Sequence, residues 1–311
     1  MRPLRLLDYV PNIPFMRWRF VGLAISGAIT IGTLVLMLTI GLNFGIDFRG
    51  GILIEVRTQS AADLSAMRAT LGGADLGEVA LQEFGGPNDV LVRVARQEGG
   101  EQAQMAAVQK IRGLLGTGYE FRRVEVVGPK VGAELIEAGI LATVLAIVAI
   151  AIYVWFRFEL PFAIGAIVST LHDVVATVGL FALLQLEFNT STVAAILLIA
   201  GYSINDTVVI YDRVRENLRK YKTMPLIDLC NLSLNETLSR TLLTGGTTIA
   251  ALLALFIFGG EVIRDFSGAM LFGIVIGTYS SLMVGTPLLL NFPPRRVRDE
   301  VAGKDAAGAR P

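Results

Sequence analysis

Six long apolar stretches constrain this chain more than any other feature of its sequence. A helix needs roughly 20 apolar residues to cross a bilayer core that is about 30 Å thick. Four stretches carry no charge (20–40, 138–156, 241–258 and 266–290), and two contain ionisable residues (161–184 and 190–211). Arginines precede the first stretch as in a signal peptide, but it is longer than the apolar core of one. We therefore predict a polytopic α-helical membrane protein with six transmembrane helices.

The basic residues between these stretches indicate an orientation. Sixteen Lys and Arg residues lie in the N-terminus, at Arg157, in the segment 213–240 and in the tail, whereas the turns on the other side contain only Arg264. Short cytoplasmic segments are enriched in Lys and Arg, so both termini are predicted to be cytoplasmic. The polar segment between the first two stretches then lies outside the cytoplasm.

The pattern of that polar segment predicts a folded α+β domain. Its apolar spacing gives the order strand, helix, strand, strand, helix, strand, with a Gly-Gly-Pro-Asn-Asp turn between strands at 79–84 and 90–95. This is the order of a ferredoxin-like module. The predicted boundaries are a cytoplasmic N-terminus at 1–19, a first transmembrane helix at 20–42, the extracytoplasmic domain at 43–132, five further transmembrane helices within 133–292 and a flexible cytoplasmic tail at 293–311.

A cytoplasmic helical segment is predicted near 213–240, between the fourth and fifth transmembrane helices. Ser233 and Glu236 in this amphipathic segment have the spacing of a capping box.

The composition excludes several classes of function. Hydrophobic residues make up 53% of the chain, and Lys+Arg and Asp+Glu both number 27, so no net charge attracts nucleic acid. Cys230 is the only cysteine and His172 the only histidine, which excludes an internal disulfide and the usual zinc sites. The polar domain has no phosphate loop and no nucleophile with a nearby base. We therefore expect neither an enzyme nor a bound metal or cofactor.

Ionisable residues within the apolar stretches are the main functional candidates. His172 and Asp173 lie about 17 Å into the third stretch, and Asp206 lies about 10 Å from the cytoplasmic end of the fourth. At mid-span each such group costs roughly 2.5–3.5 kcal/mol to insert, so each requires a reason. Asn205 is adjacent to Asp206, and Arg240 opens the fifth stretch on the same side of the membrane. These five residues are the predicted proton-relay group.

Two uses of these groups are open. Burial favours the protonated form of an aspartate and a nearby arginine favours its ionised form, so a moving Arg240 would make Asp206 bind and release a proton. Alternatively, the polar groups only hold packed helices together. Asp212 and Arg213, at the membrane edge, are secondary candidates. Tyr211-Asp212 matches half of the signature of an intramembrane aspartyl protease, but the sequence lacks the Gly-x-Gly-Asp half.

Small residues recur every four positions in the last apolar stretch. Gly273, Gly277 and Ser281 form the centre of this row, which Ala269 and Gly285 extend. Such a row allows another helix to approach closely, so we predict a helix-packing surface. Its partner is either a helix of the same chain or another subunit.

Four motifs carry a family resemblance. They are Gly45-Ile-Asp-Phe-Arg-Gly-Gly51, Leu171-His-Asp-Val174, Gly201-Tyr-Ser-Ile-Asn-Asp-Thr-Val-Val-Ile-Tyr-Asp-Arg-Val-Arg-Glu-Asn217 and Asn235-Glu-Thr-Leu-Ser-Arg-Thr-Leu-Leu-Thr244. Together they closely resemble the SecF family, the smaller subunits of the SecD–SecF protein-export complex in the resistance-nodulation-division superfamily. The chain departs from that pattern at Gly245-Gly246, where we expect bulkier or hydroxyl residues.

The resemblance implies a multi-pass subunit of the bacterial cytoplasmic (inner) membrane that pairs with SecD. It further implies association with the SecYEG translocon, YajC and YidC, and contact between preproteins and the extracytoplasmic domain. The coupling ion would be the proton, carried by Asp206 with Arg240 as its charged partner and Asn205 in the same motif. Two other functions are weighed: a passive scaffold of the translocon, and a small-molecule proton antiporter, which a single small domain disfavours.

Overall fold

Six apolar helices and one α/β domain make up the structure. The computed structural model describes residues 10–259 and 261–294, except for the side chains of residues 129, 130, 261 and 262. Six of its helices are long and apolar enough to cross a bilayer, which fits the predicted polytopic helical membrane protein. Residues 1–9 and 295–311, which include much of the predicted N-terminus and nearly all of the predicted tail, lie outside the described residues.

The helices are numbered in chain order, and the six apolar ones are called TM1 to TM6. TM1 is a 3₁₀ turn, Phe15–Trp18, followed by α1 (Arg19–Thr39), and the domain carries the helices α2 (Ile46–Arg49), α3 (Leu64–Gly72) and α4 (Gly100–Leu115). The next four transmembrane helices are single α-helices: TM2 is α5 (Pro129–Arg157), TM3 is α6 (Leu160–Leu184), TM4 is α7 (Thr190–Lys220) and TM5 is α8 (Leu226–Phe258). TM6 consists of α9 (Glu261–Ser280), a π turn (Ser281–Gly285) and α10 (Thr286–Asn291).

TM3, TM4 and TM6 form the interior of the bundle. Each buries about half of its most apolar stretch inside the chain, whereas TM2 buries none of it. The π turn in TM6 lies just before Pro287, which lacks an N–H and cannot continue a regular helix without strain. The Thr286 hydroxyl donates to the Ser281 carbonyl at 2.9 Å and so satisfies an acceptor of the π turn.

The domain is built on a four-stranded antiparallel sheet. Its strands are β2 (Gly51–Thr58), β3 (Val79–Phe84), β4 (Gly86–Val94) and β5 (Tyr119–Val127), in the spatial order β3-β4-β2-β5. Ile52, Ile54 and Val92 on one sheet face are fully buried in a cluster that also holds Met67 of α3 and Ile111 of α4. Alternating apolar residues on the strands thus form the core under two helices.

The turn between β3 and β4 is tighter than predicted. Strand β4 begins at Gly86 rather than at residue 90, because Gly85 reverses the chain with a positive φ of 79°. The register between β3 and β4 then shifts after Glu83, so that Phe84 pairs with Gly86. Pro87 lies in this irregular part, where its missing N–H removes no regular ladder bond.

Two predicted helix boundaries are also wrong. TM1 ends at Thr39 and not at residue 42, and Gly41 follows with a φ of 75°. TM2 begins at residue 129 and not at 133, because Pro129 occupies the first helical position, which suits proline. The helical segment predicted near 213–240 is present as the end of TM4 and the start of TM5, which a short turn joins, and TM5 begins at Leu226.

The capping box predicted at Ser233 is therefore wrong too. Ser233 lies within TM5, and its hydroxyl donates to the Leu229 carbonyl at 2.8 Å. The sequence spacing of a capping box also occurs inside helices, where the first residue has no free N–H groups to cap.

A second, two-stranded sheet joins the domain to the bundle. Strand β1 (Asn43–Phe44) follows TM1, and strand β6 (Glu187–Phe188) lies in the turn between TM3 and TM4. The two strands pair in parallel, with Asn43 opposite Glu187. The end of the bundle that carries the domain is called the domain end below.

Candidate functional site

Asp206 is a buried carboxylate whose Oδ2 atom receives no hydrogen bond from the described residues. Asp206 lies on TM4 and is 4% exposed. Buried polar atoms are nearly always hydrogen-bonded, so an unpaired carboxylate oxygen inside a membrane helix requires an explanation.

Arg240 and Asn205 lie near this carboxylate but on the outside of the chain. Both residues are exposed. The Arg240 guanidinium acts electrostatically on Asp206, yet the ion pairs among the described residues do not include a direct one between these two side chains. The exposed face of TM4 therefore carries the Asn205 amide, and the exposed face of TM5 carries the Arg240 charge.

Asp173 has the opposite environment to Asp206. It is fully buried on TM3, and its Oδ2 accepts hydrogen bonds from Ser203 of TM4 and from Ser280 of TM6, the latter at 2.8 Å. Its Oδ1 lies 3.1 Å from Nδ1 of His172. One carboxylate thus links three helices through donors on each.

His172 is only partly satisfied by that contact. The residue is 7% exposed, and its Nε2 has no hydrogen-bond partner among the residues that the structure describes. Its ring lies 6.3 Å from the ring of Tyr279, whose hydroxyl donates to the Gly22 carbonyl of TM1 at 2.7 Å. His172 therefore lies where TM1, TM3 and TM6 meet.

Hydroxyl groups extend the Asp173 cluster away from the domain end. The Ser169 hydroxyl donates to Ser280 at 2.9 Å, and the Thr207 and Ser281 hydroxyls lie 2.7 Å apart. One turn further along, the Tyr211 hydroxyl donates to the Gly285 carbonyl at 2.8 Å. Ser169, Ser280 and Thr207 do not stand out in the sequence, because single hydroxyl residues are common in membrane helices. Ser169 lies four residues before Asp173 and Thr207 four residues after Ser203, and this spacing was the available signal for those two residues.

The row of small residues on TM6 packs against TM4. A Cβ atom on Gly273 would overlap the side chain of Ile199, and one on Gly277 would lie 3.1 Å from the Cβ of Ser203 and 3.5 Å from the Asp173 carboxylate. Ser281 bonds to Thr207 as described above. The row therefore faces a helix of the same chain, and it lets TM6 approach the carboxylate.

Asp212 and Arg213 point to different partners at the end opposite the domain. Asp212 pairs with Arg157 of TM2 at 2.9 Å. Arg213 pairs with Glu236 of TM5 at 2.6 Å and with Glu216. These pairs fasten TM4 to the ends of TM2 and TM5.

Asn235, the first residue of the TM5 motif, binds the segment before TM1. Its side-chain oxygen accepts from the Ile13 N–H and its amide donates to the Ile13 carbonyl, both at 2.9 Å. Asn231, one turn earlier, accepts from the Met16 N–H at 2.9 Å. The motif that ends in Arg240 is thus fixed to the start of TM1.

The segment 43–49 fixes the domain to the turn between TM3 and TM4. Asp47 accepts from the N–H of Thr190 at 2.9 Å and from its hydroxyl at 2.6 Å, which caps the start of TM4. Arg93 of β4 forms an ion pair with Glu187 of β6. Burial raises the pKa of Glu187, and the Arg93 guanidinium opposes this shift.

Six apolar helices, one α/β domain and buried carboxylates on TM3 and TM4 define a polytopic membrane protein with ionisable groups inside its bundle. The family comparisons agree with this class. Residues 108–295 match the model of "Protein export membrane protein SecD/SecF, C-terminal", and residues 35–62 match the "SecD/SecF GG Motif".

Curated relatives share almost the whole length of the chain. The protein translocase subunit SecF of Rickettsia conorii is 45% identical over 96% of this chain and 98% of its own length, and that of Cereibacter sphaeroides is 46% identical over 92% and 91%. The chain belongs to the SecD/SecF family of protein export membrane proteins, as a protein translocase subunit of the SecF type.

Solved structures of fused proteins agree. The crystal structure of SecDF from Thermus thermophilus, described as a translocon-associated membrane protein, matches with a TM-score of 0.83 and 32% identity over 93% of this chain. A SecDF in a super-membrane-facing form matches with a TM-score of 0.70 and 31% identity over 97% of the chain. The chain spans about 40% of the length of these two structures.

Proposed function

We propose that this SecF-type subunit acts with SecD to use the proton gradient for the translocation and release of preproteins across the cytoplasmic membrane. The supporting observation is the buried Oδ2 of Asp206 on TM4, to which none of the residues at 10–259 and 261–294 donates a hydrogen bond. A carboxyl group that has neither a donor nor a direct ion pair can exist in both protonation states without breaking a hydrogen bond. Asp206 is the proton carrier in this proposal, and the proton is the coupling ion without any cofactor or covalent catalysis.

The exposed groups beside Asp206 support SecD as the obligate partner. Asn205 and Arg240 are exposed on helices that would otherwise face lipid, and Arg240 places a charge at the start of the fifth apolar stretch, where contact with lipid is unfavourable. A partner helix that covers this surface would bring its own polar groups to Asp206 and Arg240. Displacement of Arg240 relative to Asp206 would then change which protonation state is favoured, because a cation stabilises the ionised carboxyl.

The charge asymmetry supports an orientation with both termini in the cytoplasm and the domain in the periplasm of the inner membrane. We propose that the domain is ferredoxin-like, as its strand order supports, and that it contacts preproteins after they leave SecYEG. YajC and YidC are further proposed neighbours of the complex. The row of small residues from Gly273 to Ser281 packs against TM4 of the same chain and is not available to a partner subunit. The exposed faces of TM4 and TM5 are therefore the proposed contact surface for SecD.

The test is Asp206→Asn in the complex with SecD and the translocon, reconstituted in vesicles. The gradient-dependent part of export should fall to background, while gradient-independent export and the amount of SecD that copurifies stay normal. Asp228→Asn is the matched control, because Asp228 is exposed at the start of TM5. Normal gradient dependence in an intact Asp206→Asn complex would exclude the proton-carrying role.

A passive scaffold is the second candidate, and the saturated hydrogen bonds of Asp173 favour it. The Ser203 hydroxyl of TM4, the Ser280 hydroxyl of TM6 and the His172 ring hold that carboxylate as a fixed link between helices. If Arg240→Ala lowers copurification with SecD, and the additional loss of Asp206 restores it, the charges serve assembly rather than coupling.

A further inference from the structure

Arginines line a pocket at the junction between the domain and the bundle. The pocket has a volume of about 380 Å³ and includes Arg49, Arg93 and Arg96 in its wall, with Glu78 as the carboxylate of the lining. Arg49 and Arg96 are exposed and form no ion pair with other described residues. The Arg93 Nε atom is buried and lacks a hydrogen-bond partner within the same part of the chain. The pocket thus has spare donors and excess positive charge.

The pocket lies where the bilayer surface is expected. TM1 ends at Thr39, TM3 ends at Leu184 and TM4 begins at Thr190, and the pocket is formed by residues 43–50 and the adjoining strands. Arginine guanidinium groups bind phosphate oxygens through charge-assisted hydrogen bonds. The negatively charged phosphate of a lipid headgroup, which lies at the bilayer surface, would complement the positive charge of these arginines.

An apolar groove adjoins the arginine pocket. It has a volume of about 310 Å³ and is lined by Leu42, by Phe48 and by residues of TM2, TM3 and TM4, including Ile140 and Val174. Val174 lies ten residues before the end of TM3, which places the groove within about 15 Å of the domain end. Phe44 lines both the groove and the arginine pocket. A ligand with an anionic head and an apolar tail would occupy both.

We propose that the pocket and the groove together bind an anionic phospholipid, with its phosphate at Arg49, Arg93 and Arg96 and an acyl chain between TM2 and TM3. The groove favours a lipid over a free anion, because a small anion makes no use of an apolar surface at membrane depth. An acidic peptide is disfavoured for the same reason. The bound lipid would hold the domain against the bilayer surface, independently of any proton coupling.

Native mass spectrometry of the delipidated full chain in detergent tests this proposal, with phosphatidylglycerol and phosphatidylcholine as probes. The chain should prefer phosphatidylglycerol, and Arg49→Gln with Arg96→Gln should weaken its binding roughly thirtyfold, given the usual effect of each basic residue near anionic lipid. The control pair Arg68→Gln with Lys110→Gln removes the same charge from exposed positions on α3 and α4, and it should leave binding unchanged. Arg49→Lys with Arg96→Lys, which keeps the charge, should retain most of the preference.

A second pair of variants tests the acyl-chain groove. Thr143 lines the groove, and Thr143→Phe should fill it and weaken phosphatidylglycerol binding; Thr247→Phe, at an exposed position on TM5, is the control. Inorganic phosphate should not displace the lipid. Displacement by phosphate together with unchanged binding in Thr143→Phe would show a free-anion site and overturn the lipid assignment. Equal binding of both lipids, or equal losses in the two charge pairs, would overturn the site itself.

Discussion

At the scale of single residues, the two membrane aspartates differ in the number of donors that reach them. Asp173 accepts from Ser203 and Ser280 and contacts His172, whereas the buried oxygen of Asp206 has no donor among the described residues. A carboxylate with several donors is held in place, and one without donors is free to change partners. The two membrane aspartates therefore have different hydrogen-bonding surroundings, which the sequence alone does not show.

Loss of the Asp173 carboxylate should destabilise the chain more than loss of one of its donors. Asp173→Ala leaves the buried Ser203 hydroxyl and the His172 imidazole without their acceptor, at about 1–3 kcal/mol for each buried group, whereas the Ser280 hydroxyl can still donate to the Gly277 carbonyl. Ser280→Ala removes one donor and should cost less, about 0.6 kcal/mol for a typical bond in a membrane protein. Unfolding of the full chain in mixed micelles measures both. Thr247→Ala is the control, because its hydroxyl is exposed and bonds only to its own helix. A smaller loss for Asp173→Ala than for Ser280→Ala would contradict this ordering.

The membrane carboxylates could be predicted from sequence, and most of their partners could not. Ionisable residues in apolar stretches are conspicuous because of their insertion cost, which selects Asp173, His172 and Asp206 directly. Ser280 is 107 residues from Asp173 along the chain, and only the helix packing shows that they meet. The proposed pair of Asp206 with Arg240 depends on side-chain positions that the sequence leaves open.

At the scale of secondary structure elements, the close contact of TM4 with TM6 depends on glycine. Gly273 faces Ile199 without space for a Cβ atom, whereas a Cβ on Gly246 of TM5 would meet open space. The periodic row in the sequence predicted such a surface but not the helix that it contacts. The helix boundaries were predicted less well, since Pro129 and Gly41 decide them through backbone geometry that apolar periodicity does not contain.

The two glycines give a matched pair of substitutions. Gly273→Ala should destabilise the chain by about 1–3 kcal/mol through overpacking against Ile199. Gly246→Ala should be neutral or stabilising by up to about 1 kcal/mol, because alanine favours the helix and no neighbour obstructs it. Thermal unfolding of both variants in the same detergent is the measurement. Equal effects of the two substitutions would mean that the TM4–TM6 contact is looser than the structure shows.

At the scale of the whole molecule, the domain is attached to the turn that connects the two aspartate-bearing helices. Strand β1 pairs with β6, Asp47 caps TM4, and Arg93 pairs with Glu187. Apolar stretches and polarity predicted the six helices and the separate domain, but these contacts join residues between 94 and 144 positions apart and leave no local pattern. The domain is thereby fixed to the turn between TM3 and TM4, the two helices that carry the buried carboxylates.

Charge reversal at the Arg93–Glu187 pair tests this attachment. Arg93→Glu places two like charges at a partly buried contact, so the segments 41–49 and 185–191 should exchange their amide hydrogens roughly tenfold faster in the full chain, as the loss of about 1.5 kcal/mol implies. Adding Glu187→Arg should restore slow exchange, because the pair is re-formed with its charges swapped. Arg57→Glu is the control, since Arg57 pairs with Asp89 inside the domain and away from the turn between TM3 and TM4. Unchanged exchange in Arg93→Glu, or an equal increase in the control, would show that the domain and the bundle are held together by other contacts.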